Sequence, residues 1–295
     1  MELDIPDIPT TTVPVSNKPG MHTLRTKATM KHITLTTTLI LATLAGTASL
    51  ARASYTAYDL GTLGGLDSYA YGINGSGTIV GYSQIGPFSY HAFSYSGGVM
   101  HDLGTLGGQN SYAWGINSSG TVVGLAETSI GDQHAFSYSG GVMTDLGTLG
   151  GFSSGANAIN SSTIVGVATS GGANHAFSYS GGVMHDLGTL GGTFSGANAI
   201  NSSGTIVGDA GTSGGFQHAF SYSGGVMTDL EPYLASIGMT GLSFATALDD
   251  NGDIVGYGTL ANGHYHPFLL VVPEPSAAAL LALGLTALLA RRRQT

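Results

Sequence analysis

The sequence predicts an all-β fold: a five-bladed β-propeller of four-stranded blades closed by its N-terminal strand, between an N-terminal signal helix and a C-terminal transmembrane helix. Three observations carry this expectation. An Asp-Leu pair recurs at Asp59, Asp102, Asp145, Asp186 and Asp229, with spacings of 43, 43, 41 and 43 residues. Each period holds four short runs of β-forming residues separated by Gly, Ser and Asn turns, which is the arithmetic of a propeller blade. The array is also split, because residues 55–65 (YTAYDLGTLGG) form a fourth strand without its first three, and residues 266–272 (HPFLLVV) a third strand without its fourth.

Within the first copy the runs are SYAYGIN, TIVGYS, HAFSYS and VMHDL. Asn-Gly-Ser-Gly or Asn-Ser-Ser-Gly joins the first two runs and Ser-Gly-Gly the last two, as tight hairpins needing positive φ require. Ile73, Ile116, Ile159 and Ile200 each precede Asn, with Leu248-Asp249 as the fifth version, and a Val-Gly element follows at Val80, Val123, Val165, Val207 and Val255. The two end fragments together make one repeat, so residues 56–60 are expected to pair with residues 268–272 and give twenty strands. An open solenoid would gain nothing from a split repeat and would need capping units. Closure also suits a domain that has no Lys to blunt exposed edges and no Cys. Glu231-Pro232 stands where the other copies have Gly-Thr, which predicts an irregular last crossover.

Composition narrows the function classes. Of 295 residues only 8% are charged, against about 25% in ordinary soluble domains, so Gly-rich polar turns replace charged helix faces and a helical bundle is excluded. All eight Lys and Arg lie at or before Arg52 or at Arg291, Arg292 and Arg293, while residues 54–272 hold thirteen Asp or Glu. A segment without cations cannot displace counterions from a phosphate backbone, which excludes nucleic acid as a partner. It also lacks the Lys of a phosphate-binding loop.

The chain divides into residues 1–29, polar, Pro-containing and read as a disordered, over-extended start; 30–53, a signal peptide; 54–272, the repeat domain; and 273–295, a tail. The signal peptide has a short basic start, an uncharged stretch, and Ala51 and Ala53 at the cleavage site. In the tail, an Ala/Leu run over residues 276–290 precedes the three arginines, a marginal membrane helix whose basic end stays cytoplasmic.

Two resemblances rest on these segments. Pro273, Glu274 and Pro275, the apolar run, and Arg291, Arg292 and Arg293 together resemble the PEP-CTERM sorting tail of Gram-negative surface proteins. That resemblance implies recognition by an exosortase-type sorting enzyme, transient residence in the inner membrane, and delivery to the cell surface or extracellular matrix. The motif HAFSYSGGVM[H/T]DL from His91, His134, His175 and His218, with a degenerate copy at His266, resembles the HAF family of extracellular repeat proteins. It implies secretion and brings no activity with it.

Candidate sites follow from the repeat columns. The repeated His would serve either as metal ligands or as hydrogen-bond partners of a neighbouring strand or of the repeated Asp; ligands must converge within about 2.1 Å of one ion, which favours the second reading. Asp249-Asp250-Asn251-Gly252-Asp253 is a partial calcium-loop pattern that aligns with a hairpin turn, and turn chemistry explains it. Catalysis would need carboxylates at one point, yet the only Glu residues of the domain, Glu127 and Glu231, fall in loops or crossovers, so no catalytic residue, metal or cofactor is expected. The informative asymmetry lies in the first strands, where Tyr69, Tyr71, Tyr112 and Trp114 stand at positions that carry Gly155, Asn157, Gly196 and Asn198 in the next two blades. Grouped aromatics suit the stacking of sugar rings. The expected function is therefore a secreted, non-enzymatic surface or matrix protein with exopolysaccharide as its ligand. The alternatives are a glycosidase or lyase on the same scaffold, and a ligand-free structural spacer.

Overall fold

The computed structural model describes residues 56–272 of the chain. The leader, the signal peptide with its cleavage site, the sorting tail and both expected terminal helices lie outside the described residues.

The described chain forms five antiparallel sheets, each a meander in sequence order. Sheet one holds β1 (Ser68–Ile73), β2 (Ile79–Gly86), β3 (Ser89–Ser96) and β4 (Val99–Asp102). Sheet two holds β5 (Gly107–Ile116), β6 (Val122–Thr128), β7 (Gln133–Ser139) and β8 (Val142–Asp145). Sheet three holds β9 (Ser154–Ile159), β10 (Ile164–Ser170), β11 (Ala173–Ser180) and β12 (Val183–Asp186). Sheet four holds β13 (Gly191–Ile200), β14 (Ile206–Thr212), β15 (Gln217–Ser223) and β16 (Val226–Asp229). Sheet five has only β17 (Met239–Leu248), β18 (Ile254–Leu260) and β19 (Tyr265–Leu270). These are blade-like, propeller-type units, as the period predicts.

Local chemistry sets each hairpin. Both glycines of Ser-Gly-Gly take positive φ, 58° and 82° at Gly97 and Gly98, and Ser96 pairs with Val99 across them, so the loop is the two-residue kind whose twist matches its strands. In the first turn of each of the first four sheets an Asn side chain replaces backbone partners, as Asn117 Oδ1 does by accepting from the amides of Ser119 and Thr121. The Val-Gly element has a steric cause. Gly124 lies opposite Phe136, and a Cβ at Gly124 would overlap the carbonyl oxygen of Tyr112, next to the bulge in β5. The same overlap would arise at Gly81, Gly166, Gly208 and Gly256, so a glycine stands there in every sheet.

Successive sheets meet through a repeated joint. Val80 and Ala92 of sheet one pack on Ala113, Val122 and Phe136 of sheet two, and the joints after sheets two and three repeat this pattern. Two hydrogen bonds recur at every one of these joints. A buried Ser Oγ at the start of the following sheet accepts from the amide of the HAF alanine: Ala92 N donates to Ser111, Ala135 N to Ser154, Ala176 N to Ser195 and Ala219 N to Ser243, at 2.8–2.9 Å. An Asn ladder runs beside it, each Nδ2 donating to the next turn's carbonyl: Asn74 to Asn117, Asn117 to Asn160, Asn160 to Asn201 and Asn201 to Asp249, at 3.0–3.1 Å.

The crossover at Glu231-Pro232 is irregular, as expected. It forms α1 (Glu231–Leu234) and a short 3-10 turn, burying Leu234, and Glu231 accepts from Gly241 N and Ser243 Oγ. The expected closing pairing, by contrast, is not made. Residues 56–60 form no strand, sheet five keeps three strands, and nineteen strands are described where twenty were expected. The faces that would meet are bare: Val255 is 42% exposed where Val80, Val123, Val165 and Val207 are fully buried, and Ala70 is exposed where Ala113, Ala156, Ala197 and Ala245 are fully buried. The physical reason lies in the two recurring hydrogen bonds. Pro267 stands in the place of the HAF alanine and has no N–H, and Asp249 stands in the place of the ladder Asn and has no amide to donate.

Candidate functional site

Three of the four predicted aromatics come together. Tyr69 and Tyr71 of β1 flank Tyr82 of β2, with ring centroids 5.1 and 5.5 Å from it, and the Tyr71 and Tyr82 hydroxyls are 3.3 Å apart. Tyr112 of β5 reaches back across the first joint to meet Tyr82 edge-on at 4.9 Å and Tyr90 of β3 at 6.4 Å. The result is a five-tyrosine cluster on one face of sheet one. Tyr69 and Tyr71 form its open side, 47% and 55% exposed. The neighbouring Tyr71 hydroxyl and partial burial push the Tyr82 phenol up to about 12, and burial raises Tyr112 as well. The cluster thus offers aromatic faces and hydroxyls suited to stacking and to hydrogen bonds with neutral polyols.

Trp114 is placed differently. Its ring lies beside Gly155 of the following sheet, close enough that a Cβ at Gly155 would come within 3.2 Å of it, with Leu125 alongside. It fills space at the second joint. The corresponding residues in the next two sheets also serve their joints, since Asn157 donates to the Ala197 carbonyl at 2.8 Å and Asn198 to that of Ala245 at 2.9 Å. Tyr82 and Tyr90 were missed from sequence. Their repeat columns read Tyr82, Leu125, Val167, Asp209, Tyr257 and Tyr90, Gln133, Asn174, Gln217, Tyr265, and reading every column for aromatics would have found them.

The remaining candidates are structural. In each of the first four sheets the HAF histidine Nδ1 donates to the repeated Asp on the fourth strand, at 2.8, 2.8, 2.7 and 2.9 Å for His91–Asp102, His134–Asp145, His175–Asp186 and His218–Asp229. Each such Asp also caps its crossover, as Asp102 does by accepting from Gly104 N. Asp249 accepts from Asp253 N, the turn chemistry expected of that loop, whereas Asp250 accepts from Ser202 N in the turn of sheet four and so ties the two turns together. Glu127 is held by the amides of Gln109 and Asn110 and by the Asn110 side chain. Burial raises the pKa of Asp209 in β14, although Gln217 and Asn198 both donate to it. A cavity of about 600 Å³ opens among the Ile-Asn-Ser turns of sheets two to five, but the side-chain amides of Asn117, Asn160 and Asn201 on its wall are already committed to the ladder.

No curated protein matches the chain. Among solved structures it is similar to TolB from Acinetobacter baumannii, with 12% identity and a TM-score of 0.44 over 70% of this chain and 55% of that one. It thus spans about half the length of that relative. It is also similar to a TolB-like protein from Agrobacterium tumefaciens (12% identity, TM-score 0.42, 67% of this chain and 70% of that one) and to the β-propeller domain of the trilobed protease from Pyrococcus furiosus (11%, 0.40, 52% and 51%). Residues 271–294 match the PEP-CTERM protein-sorting motif, so the chain carries the tail of a secreted protein recognised by an exosortase-type sorting enzyme.

Proposed function

We propose that this protein is a non-enzymatic component of the cell surface or extracellular matrix that holds neutral exopolysaccharide on the tyrosine face of its first sheet. The observation that carries the proposal is the half-exposed pair Tyr69 and Tyr71, set about 5 Å from Tyr82 and backed by Tyr90 and Tyr112. The fold does not need aromatics there, because sheets three and four carry Gly155, Asn157, Gly196 and Asn198 in the same columns. The absence of Lys and Arg from residues 54–272 supports a neutral ligand over an anionic one. A non-enzymatic role is supported by the commitment of both Glu127 and Glu231 to local hydrogen bonds. The HAF resemblance and the tail support passage through the inner membrane, release of the tail by a membrane transpeptidase, and final residence outside the cell.

Titration calorimetry with neutral polysaccharides tests this reading. Tyr69→Gly with Tyr71→Asn copies sheet three and should abolish binding with modest loss of stability, and binding by the parent should change little with salt. Trp114→Asn should cost stability and leave affinity unchanged. Polysaccharide binding that survives the double change at Tyr69 and Tyr71 would exclude the tyrosine face. Hydrolysis or elimination products from the same glycans would instead favour the carbohydrate-active enzyme.

A further inference from the structure

We propose that the two bare ends of the sheet array are the two halves of one joint, and that a second copy of this chain completes it head to tail, sheet one of one molecule docking on sheet five of the next.

The four internal joints supply the template. At the first joint Tyr112 meets Tyr82 and Tyr90. By register Tyr257 and Tyr265 of sheet five are the counterparts of Tyr82 and Tyr90, and they already pair at 5.7 Å, while Tyr69 of β1 is the counterpart of Tyr112; a joint formed there covers Tyr69, so a second copy and the polysaccharide of the proposed function compete for that ring. The aliphatic parts match as well, with Val255 and Ala70 occupying the columns that are fully buried within the array.

An ionic mismatch points the same way. Four His–Asp pairs are satisfied within the first four sheets. Among the described residues the fifth histidine, His266, meets no Asp, and the first aspartate, Asp59, meets no His and accepts only from Gly61 N. If residues 56–60 of one molecule lay along β19 of another, they would supply the missing fourth strand and bring Asp59 to His266 in the repeat's own register. The open edge of β19 is the kind of strand edge that accepts such an addition.

The occupant is a second copy because the four joints formed here leave both end faces in solvent. Repeating them once more adds a new sheet, which only another molecule can provide. A contact between unlike patches that does not close on itself grows into a linear series. The substitutions at Pro267 and Asp249 remove from this joint alone the two hydrogen bonds that recur at the other four, so it is weaker than they are and association is reversible.

Sedimentation velocity on the full chain in mild detergent provides the test. The parent should show a concentration-dependent series. Ala70→Glu blocks one face and Val255→Glu the other; each variant alone should be monomeric with a melting temperature near that of the parent, and an equimolar mixture should give a one-to-one dimer and nothing larger. The chain has no Cys, so Tyr58→Cys with Leu269→Cys gives a second readout. Oxidation should yield an interchain ladder on a non-reducing gel. A parent that stays monomeric, association that survives either single change, a cross-link that forms within one chain, or no cross-link at all would each overturn the proposal.

Discussion

Ser111→Ala should be far more damaging than the identical change at Ser68. Ser111 is fully buried at the first joint, where its Oγ accepts the Ala92 amide at 2.8 Å and donates to the Gly104 carbonyl. Removing the hydroxyl strands a buried N–H, at about 1–3 kcal/mol, and deprives a carbonyl of a partner, so a total of about 2–4 kcal/mol is expected. For a unit of this size each kcal/mol shifts the melting temperature by about 2–4 °C, which predicts a fall of about 4–16 °C. Ser68 occupies the same column in sheet one, at the bare face, where no neighbouring amide approaches and its Oγ donates only to the Gly61 carbonyl at 2.8 Å. Ser68→Ala should therefore cost under about 1 kcal/mol, the usual range for an exposed hydrogen bond. Urea titration and thermal melting of both variants measure the difference. Equal losses at the two sites, or none at Ser111, would refute the Ser-to-amide joint as the source of inter-sheet cohesion.

Other expectations follow from the same geometry. Gly124→Ala should destabilise by about 1–3 kcal/mol or more, because its Cβ would collide with the Tyr112 carbonyl, whereas Gly75→Ala faces open space and should be neutral or slightly stabilising in a urea titration. Burial raises the pKa of Asp209, so its contribution to stability is fully present below the ordinary carboxylate pKa of 3.8 and is lost as the pH rises through the folded value; Asp209→Asn should remove that component from a stability-versus-pH profile. Tyr82 is pushed up to about 12, so stability should fall as the pH climbs from about 10 toward 12, and Tyr71→Phe should bring the late phenolate step in an ultraviolet titration to lower pH. No Lys or Arg lies between Arg52 and Arg291, so the denatured mature domain should pass through trypsin as one uncut peptide, which mass spectrometry will detect.

Sequence alone determined the sheets, because the signals for them are local. The 41-to-43-residue period, the Gly-Gly and Asn-led turns and the runs of β-forming residues specify each hairpin without reference to any other part of the chain. The Asp-His pairing was legible as one of two options from the constancy of both columns. The Asn ladder, the Ser-to-amide bonds and the collision that forces the Val-Gly glycine were not, since the first two join residues of different sheets, 41 to 48 and 19 to 24 positions apart, and the third depends on strand pairing. The aromatic site was half legible: Tyr69, Tyr71 and Tyr112 do share a surface, but Trp114 was grouped with them by column alone, and only packing shows that its ring serves the next joint. Closure was a deduction from counting fragments. The tertiary structure decided otherwise, because a ring needs its last joint to form as well as the others, and Pro267 and Asp249 withhold the two donors on which every other joint depends.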